Sequence, residues 1–112
     1  GFLMLLEPVE GDRDFRYRLF GSTLARVSGF DMTGKLMSSH PASQYAVEFA
    51  VAMTRACMRH GVPLYTERQP VGTERTKCWP RLTLPLVDDT GSVARMLIGT
   101  VPVDSYGRIV TT

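Results

Sequence analysis

Residues 42–60 read ASQYAVEFAVAMTRACMRH and give the strongest secondary-structure signal in the chain. It contains neither Gly nor Pro. Apolar side chains recur at every fourth position, which is the spacing of one face of an α-helix. They are Tyr45, Phe49, Met53 and Cys57. Gly61 is suited to end the helix, because glycine adopts the left-handed conformation at little cost. The sequence therefore predicts a helix over Ala42–His60, about 27 Å long at roughly 1.5 Å per residue.

Three extended stretches follow this helix, namely Val62–Val71, Lys77–Val87 and Val93–Val103. The short turn Asp88-Asp89-Thr90-Gly91 joins the last two stretches. We therefore predict that these two pair as an antiparallel hairpin.

Two further strands precede the helix. The apolar run Phe2–Leu6 predicts the first strand, closed by Glu7-Pro8. The alternating residues Phe15–Leu19 predict the second, and the turn Glu10-Gly11-Asp12 makes the pair a hairpin.

A short helix is predicted after the second strand. Ser22 is placed to cap its N-terminus, Leu24 to face inward and Gly29 to end it. Residues 30–41 are predicted to be a loop with one helical turn. The economical packing of all these elements is a single α+β domain over residues 1–112, with a five-stranded antiparallel sheet covered by helices on one face.

Composition narrows the function classes. The 112 residues are 44% hydrophobic and 21% charged, which is ordinary for a globular domain. The net charge of +2 is small and scattered, so it does not indicate nucleic-acid binding. The longest apolar run has five residues, and we expect neither a membrane span nor a signal peptide. Two isolated cysteines are typical of free thiols in the reducing cytoplasm.

Several short motifs resemble those of a PAS domain. Residues 17–30 read YRLFGSTLARVSGF, similar to the PAS opening of strand, tight turn, short helix and Gly-aromatic pair. Residues 84–91 read LPLVDDTG and resemble the penultimate PAS strand with its turn, and Ile98-Gly99 resemble part of the last strand. The series is most similar to a bacterial group of stand-alone PAS domains of unassigned function. Gly21-Ser22 departs from the family's usual Asn-Pro at this position.

The resemblance implies a small molecule held between the long helix and the sheet. The residues expected to line that pocket come from both halves of the chain. They are Leu24, Phe30, Tyr45, Phe49, Met53, Trp79, Arg81, Thr83 and Leu97.

The strand over Lys77–Val87 allows two orientations, which differ by one residue. Hydrophobicity alone would turn Leu82, Leu84 and Leu86 toward the core. The resemblance implies the opposite, with Trp79, Arg81 and Thr83 facing inward and the leucine row outside. An inward arginine needs an anion, because an unpaired buried charge is costly. The expected ligand is therefore acidic, although Glu48 or Glu67 would be an internal alternative.

The sequence lacks the residues with which known PAS domains bind haem or react with flavin. Haem-binding PAS domains use a histidine on the long helix, whereas His60 ends that helix and His40 lies in the loop before it. Light-sensing PAS domains use a cysteine before the long helix, and the first cysteine here is Cys57. The sequence favours neither haem nor flavin, and it contains no recognisable metal-binding or catalytic motif.

Three functions stay open at this point. The first is a sensory or regulatory PAS domain that binds a small molecule and signals through a dimer or partner. The second is a PAS-fold interaction module without a ligand, and the third is a small acid–base enzyme. The outer sheet face is predicted to form a homodimer through one side of the Lys77–Val87 strand together with Met96 and Ile98.

Overall fold

The computed structural model describes residues 1–70 and 75–111. Within these residues, the secondary structure consists of β1 (Leu3–Val9), β2 (Asp14–Phe20), α1 (Ser22–Ser28), α2 (Gln44–His60), β3 (Leu64–Arg68), β4 (Trp79–Val87) and β5 (Val93–Thr100). A single 3-10 turn, Met37–Ser39, interrupts the loop before α2. The strands form one antiparallel sheet in the order β2-β1-β5-β4-β3. The predicted α+β architecture is confirmed.

The register of the sheet sorts its residues into two faces. On the inner face, Met4 lies opposite Ile98 and Leu6 opposite Met96, and all four side chains are buried. Our expectation that Met96 and Ile98 belong to the outer face is therefore wrong. Alternate residues of a strand point to opposite faces, so these two share the core side with Thr83 of β4.

Leucines instead cover the outer face. Leu97 of β5 lies opposite Leu5 on one side and Leu84 on the other. Leu82 of β4 lies opposite Gly99 and Tyr65. We call this surface the outer apolar face, and its further exposed members are Leu3, Leu19 and Leu86.

Helix α2 begins two residues later than predicted. The Ser43 hydroxyl accepts a hydrogen bond from the Ala46 amide at 3.2 Å and so caps the helix. Gly61 ends it with φ = 65°, as the sequence indicated. The buried residues of the helix are Ala46, Ala50, Thr54 and Cys57.

The C-terminal half of α2 is fastened to the β1–β2 turn. Arg55 donates to the backbone carbonyls of Asp12 at 2.8 Å and Arg13 at 3.0 Å. Arg59 forms an ion pair with the Asp12 carboxylate at 2.5 Å, which lowers the pKa of Asp12. These contacts hold one end of the helix close to the sheet.

Two element boundaries differ from the sequence predictions for local reasons. Strand β1 runs through Pro8 to Val9, because β1 pairs with β5 only up to Leu6 and Pro8 lies where that side is unpaired. Ser22 is the first residue of α1 rather than its cap. The Gly1 carbonyl instead accepts hydrogen bonds from the amides of Thr23 and Leu24.

The chain after β5 folds back on the domain. Strand β5 ends at Thr100, three residues before the predicted end. Val103 then bridges to both Cys78 and Ile109, and the Val110 amide donates to the Pro102 carbonyl. Strand β3 is shorter than predicted, with Val71 and the turn at 72–74 lying outside the described residues.

Candidate ligand-binding site

A cavity of about 100 Å³ lies between the helices and the inner face of the sheet. Its walls come from β1, β2, α1, the loop before α2, the first turns of α2, and strands β3, β4 and β5. The lining residues are Met4, Tyr17, Phe20, Leu24, Ser28, Met37, His40, Ala42, Ala46, Val47, Ala50, Arg68, Trp79, Arg81 and Thr100. Segments distant in sequence therefore meet around one space.

Strand β4 presents its polar side to this cavity. Trp79 and Arg81 line it, and Thr83, further along the same face, is buried at 1% exposure. Leu82 is 44% exposed on the opposite face. The orientation is thus the one that the PAS resemblance implies, and the one that hydrophobicity alone favours is wrong. The inner face is filled by β1 and β5 side chains, which leaves the β4 leucines outside.

The long helix contributes small side chains rather than the predicted aromatic stripe. Ala46, Val47 and Ala50 of α2 border the cavity, together with Ala42 in the loop just before the helix. Tyr45 is 60% exposed, and Phe49 and Met53 are half-buried and lie outside the lining. A helix turns about 100° per residue, so a one-residue difference rotates the stripe away from the sheet. The alanines at 42, 46 and 50 were the available signal for the true inward face.

The remaining candidates divide between the cavity and its surroundings. Leu24 of α1 lines the cavity. Phe30 packs edge-on against the His40 ring, with ring centroids 4.8 Å apart, and so supports a lining residue. Leu97 lies on the outer apolar face, opposite Leu84, and was wrongly expected in the pocket.

Besides Ala42, Ala46, Val47 and Ala50, sequence reasoning missed eight of the residues that line the cavity. They are Met4, Tyr17, Phe20, Ser28, Met37, His40, Arg68 and Thr100. The alternation of β1 and β2 places Met4 and Tyr17 on the inner face. Phe20 reaches the same face because the register of β1 and β2 shifts between Leu5 and Leu6. His40 and Arg68 carry no comparable periodic signal, because one follows a 3-10 turn and the other ends an edge strand.

The cavity is electrostatically positive. Its lining includes Arg81, Arg68 and His40 but, within the described part of the chain, neither Asp nor Glu. One terminal nitrogen of Arg81 (NH1) is buried and has no hydrogen-bond partner among residues 1–70 and 75–111. Burial lowers the pKa of Arg81, and the charge of Arg68 lowers it further. Burial also raises the pKa of Tyr17 to about 12, so its phenol stays protonated at neutral pH.

His40 is held neutral at the cavity wall. Its Nδ1 accepts a hydrogen bond from the Ala42 amide at 3.1 Å. Burial lowers the pKa of His40, and the charges of Arg81 and Arg68 lower it further. An anion bound beside the arginines would oppose the last two effects.

We expect the free energy of unfolding to fall as the pH drops below about 6.5, the usual pKa of histidine. The unfolded chain binds a proton at His40 in that range, whereas the folded domain resists it until a lower pH, so acid favours unfolding. Urea unfolding between pH 7.5 and 5.5 measures the slope. His40→Gln is expected to flatten it, and equal slopes for both proteins would contradict the assignment.

Two features are absent from the described residues, 1–70 and 75–111. These residues contain no cluster of three or more His, Cys, Asp or Glu side chains placed to hold a metal ion. They also contain no helix that is long and apolar enough to cross a membrane.

Comparison with known proteins identifies the fold. The chain matches no family model and no curated protein sequence. It is similar in structure to the PAS domain of histidine kinase ThkA, with a TM-score of 0.66 and 11% identity, covering 88% of this chain and 95% of that one.

Two light-oxygen-voltage structures are similar as well. One, from a study with a flavin analogue, has a TM-score of 0.60 and 13% identity over 93% of this chain and 78% of that one. The other is the light state of the blue-light photoreceptor Aureochrome1, with a TM-score of 0.60 and 11% identity over 93% and 82%. The strand order, the helices on one face and these likenesses together show that the chain has the PAS fold.

Proposed function

We propose that this chain is a sensory or regulatory domain that binds a small molecule with an anionic group in the cavity under α2. Binding would be signalled through contacts with a second copy or a partner. The observation that carries the proposal is the guanidinium of Arg81, whose NH1 is buried and lacks a hydrogen-bond partner in the part of the chain that the structure describes. The proposed setting is the cytoplasm, where the two free thiols would stay reduced.

The free-energy cost of leaving NH1 of Arg81 without a hydrogen bond supports the binding of an anion there. Leaving a buried hydrogen-bonding group unsatisfied costs about 1–3 kcal/mol, and more for a charged group. Arg68 and His40 line the same cavity, so no neutralising charge is supplied by the described lining residues. A bound anion would satisfy the guanidinium and accept a hydrogen bond from the neutral Tyr17 phenol. The free domain therefore carries an energetic cost that a ligand would remove.

The cavity does not fit a flavin. A space of about 150 Å³ holds one benzene ring, whereas the cavity here measures about 100 Å³. Flavin has three fused rings, so it would need a different side-chain arrangement. The first cysteine, Cys57, lies near the end of α2 and its thiol contacts the Val62 and Thr83 carbonyls. These observations favour a much smaller ligand.

Thermal unfolding with a panel of small carboxylates and phosphates tests the proposal, together with native mass spectrometry for a co-purified compound. A ligand at 100 times its dissociation constant should stabilise the domain by about 2.7 kcal/mol. Arg81→Met should remove this stabilisation. Arg95→Met, on the outer face beside Glu7, should retain it. A panel without any stabilising anion, and no co-purified compound, would contradict the proposal.

That negative outcome would favour the second candidate, an interaction module without a ligand. The acid–base enzyme is the weaker candidate, because the described lining includes His40 but no carboxylate to pair with it. Catalysis by such an enzyme would need a base within hydrogen-bond reach of its substrate and a group that orients it.

Dimerisation through the outer apolar face is part of the proposal. Leu5, Leu97 and Leu84 form a row across three strands, and Leu82 and Tyr65 extend it. Exposed apolar patches of this kind mark interaction sites in soluble domains. Light scattering is expected to give the mass of a dimer, and Leu84→Lys that of a monomer. Tyr106→Lys, on the exposed C-terminal hairpin, is the matched control. A monomeric unmodified protein at high concentration would contradict the dimer.

A further inference from the structure

The polar groups that remain available in the cavity are concentrated at one end. Of the lining hydroxyls, that of Ser28 donates to the Leu24 carbonyl at 2.6 Å, and that of Thr100 donates to the Pro80 carbonyl at 2.7 Å. These two hydroxyls already donate their hydrogen bonds to the backbone of the domain. The groups left to meet a ligand are Arg81, Arg68, His40 and the Tyr17 phenol.

The cationic end lies where β3 meets β4. Arg68 is opposite Trp79, and Thr66 is opposite Arg81, so all four residues share the inner face. The Thr66 hydroxyl and NH1 of Arg81 are both buried without a hydrogen-bond partner in the described ranges, 1–70 and 75–111. Directly opposed residues of antiparallel strands have Cβ atoms roughly 5 Å apart. The Thr66 hydroxyl and the Arg81 guanidinium lie on neighbouring strands, and one hydrogen-bond acceptor placed between them could bind both.

The rest of the cavity is apolar. Met4, Phe20, Leu24 and Met37 face Ala46, Val47 and Ala50 of α2. Such a wall offers no partner for a second charged or strongly polar group, and burying one there would be strongly unfavourable. A molecule that fits both ends of the cavity therefore has an anionic group at one end and an apolar group at the other.

We propose that the ligand is a short aliphatic monocarboxylate, with its carboxylate on Arg81 and its hydrocarbon tail against the Leu24 and Val47 side of the cavity. This inference rests on the proposed function and names the class of ligand. Planar guanidinium and carboxylate groups match in geometry and pair through two hydrogen bonds.

The size of the cavity sets the length of the tail. If about 150 Å³ holds the six carbons of benzene, then about 100 Å³ holds roughly four carbon atoms on the same scale. Butyrate has four carbons, three of them beyond the carboxylate carbon, and its two carboxylate oxygens would occupy the hydrogen-bonding space beside Arg81. Acetate would engage only the cationic end, and succinate would carry a second carboxylate into the apolar end.

Titration of the isotope-labelled domain by NMR with butyrate, butyramide, succinate and acetate tests this class. Butyrate is expected to bind at least tenfold more tightly than each of the other three. Butyramide matches its shape without the charge, and succinate matches its length with one charge too many. Binding of butyramide or succinate as tight as that of butyrate would overturn the inference.

Two variants separate this inference from the proposed function. Ala46→Val fills the apolar end and should weaken butyrate at least tenfold while leaving acetate unchanged; equal losses for both would overturn the assignment of the two ends. Arg81→Met should abolish binding of every anion. Anions that bind in an Arg81-dependent way but show no preference for butyrate would reject the ligand class and leave the anion site standing. Binding that ignores Arg81 would reject both.

Discussion

Arg81→Met is expected to raise the free energy of unfolding of the ligand-free domain by about 1–3 kcal/mol, while it removes anion binding. Arg81 is half-buried at the cavity wall, and its NH1 is fully buried with no hydrogen-bond partner within the residues that the structure describes. Methionine keeps an unbranched apolar chain of similar reach and removes the desolvated charge. Replacing buried charges with apolar side chains has stabilised other proteins for this reason.

Urea unfolding at pH 7.5 measures this difference from the shift of the midpoint at constant slope. Arg95→Met is the matched control, because Arg95 lies on the outer face in an ion pair with Glu7 at 3.4 Å. Such exposed pairs contribute little, so this variant should stay within about 0.5 kcal/mol of the unmodified protein. A loss of stability in Arg81→Met would show that the guanidinium has a structural partner, and it would remove the main support for a ligand.

We expect Arg81→Met to show both a higher free energy of unfolding and a loss of anion binding. Functional sites often retain groups that destabilise the free protein, since the cost is recovered when the ligand binds. A structural arginine would show the opposite combination, with lower stability after substitution and no change in anion response. The pair of measurements therefore discriminates between the two roles of Arg81.

Ile98→Ala is expected to lower the free energy of unfolding by about 2–5 kcal/mol, the largest stability effect we predict. Ile98 is fully buried between Met4 of β1 and Thr83 of β4, so truncation removes apolar contacts and leaves a cavity. For a domain of this size, the melting temperature should fall by roughly 10–20 °C.

Leu97→Ala is the control for this prediction. It removes the same three side-chain carbons from the next position of the same strand, but Leu97 lies on the outer apolar face. Thermal melts of both variants at low concentration, where dimer contacts contribute least, should show a loss for Leu97→Ala of less than half that for Ile98→Ala. Equal losses would mean that the assignment of the two faces is wrong.

Much of the fold could be predicted because its helices and turns depend on patterns of neighbouring residues. The 19 residues without Gly or Pro before Gly61 predicted α2, and the turn Asp88–Gly91 predicted the β4–β5 hairpin. In the structure, the Asp88 carboxylate accepts hydrogen bonds from the Thr90 and Ser92 amides, which is the chemistry expected of that turn. Helix ends and tight turns depend on neighbours a few residues away.

The orientation of elements was harder to predict, because a single residue decides it. In β4, the hydrophobic pattern and the PAS resemblance disagreed by one position, and shifting a strand by one residue moves every side chain to the other face. In α2, both the stripe from Tyr45 and the stripe from Ala46 have helical spacing, and α2 packs with the small residues inward. Neither choice depends on the element alone, since each is set by the surface that packs against it.

The type and order of the secondary-structure elements, the α+β class and the PAS resemblance all followed from the sequence alone. The candidate site was decided by the tertiary structure, which brings His40, Arg68 and Arg81 to one cavity from three separate segments. Local propensity acts over a few residues, whereas this convergence depends on sheet register and on the rotation of α2. Whether a buried charge is paired depends on the groups around it in space, and those groups come from residues distant in the chain.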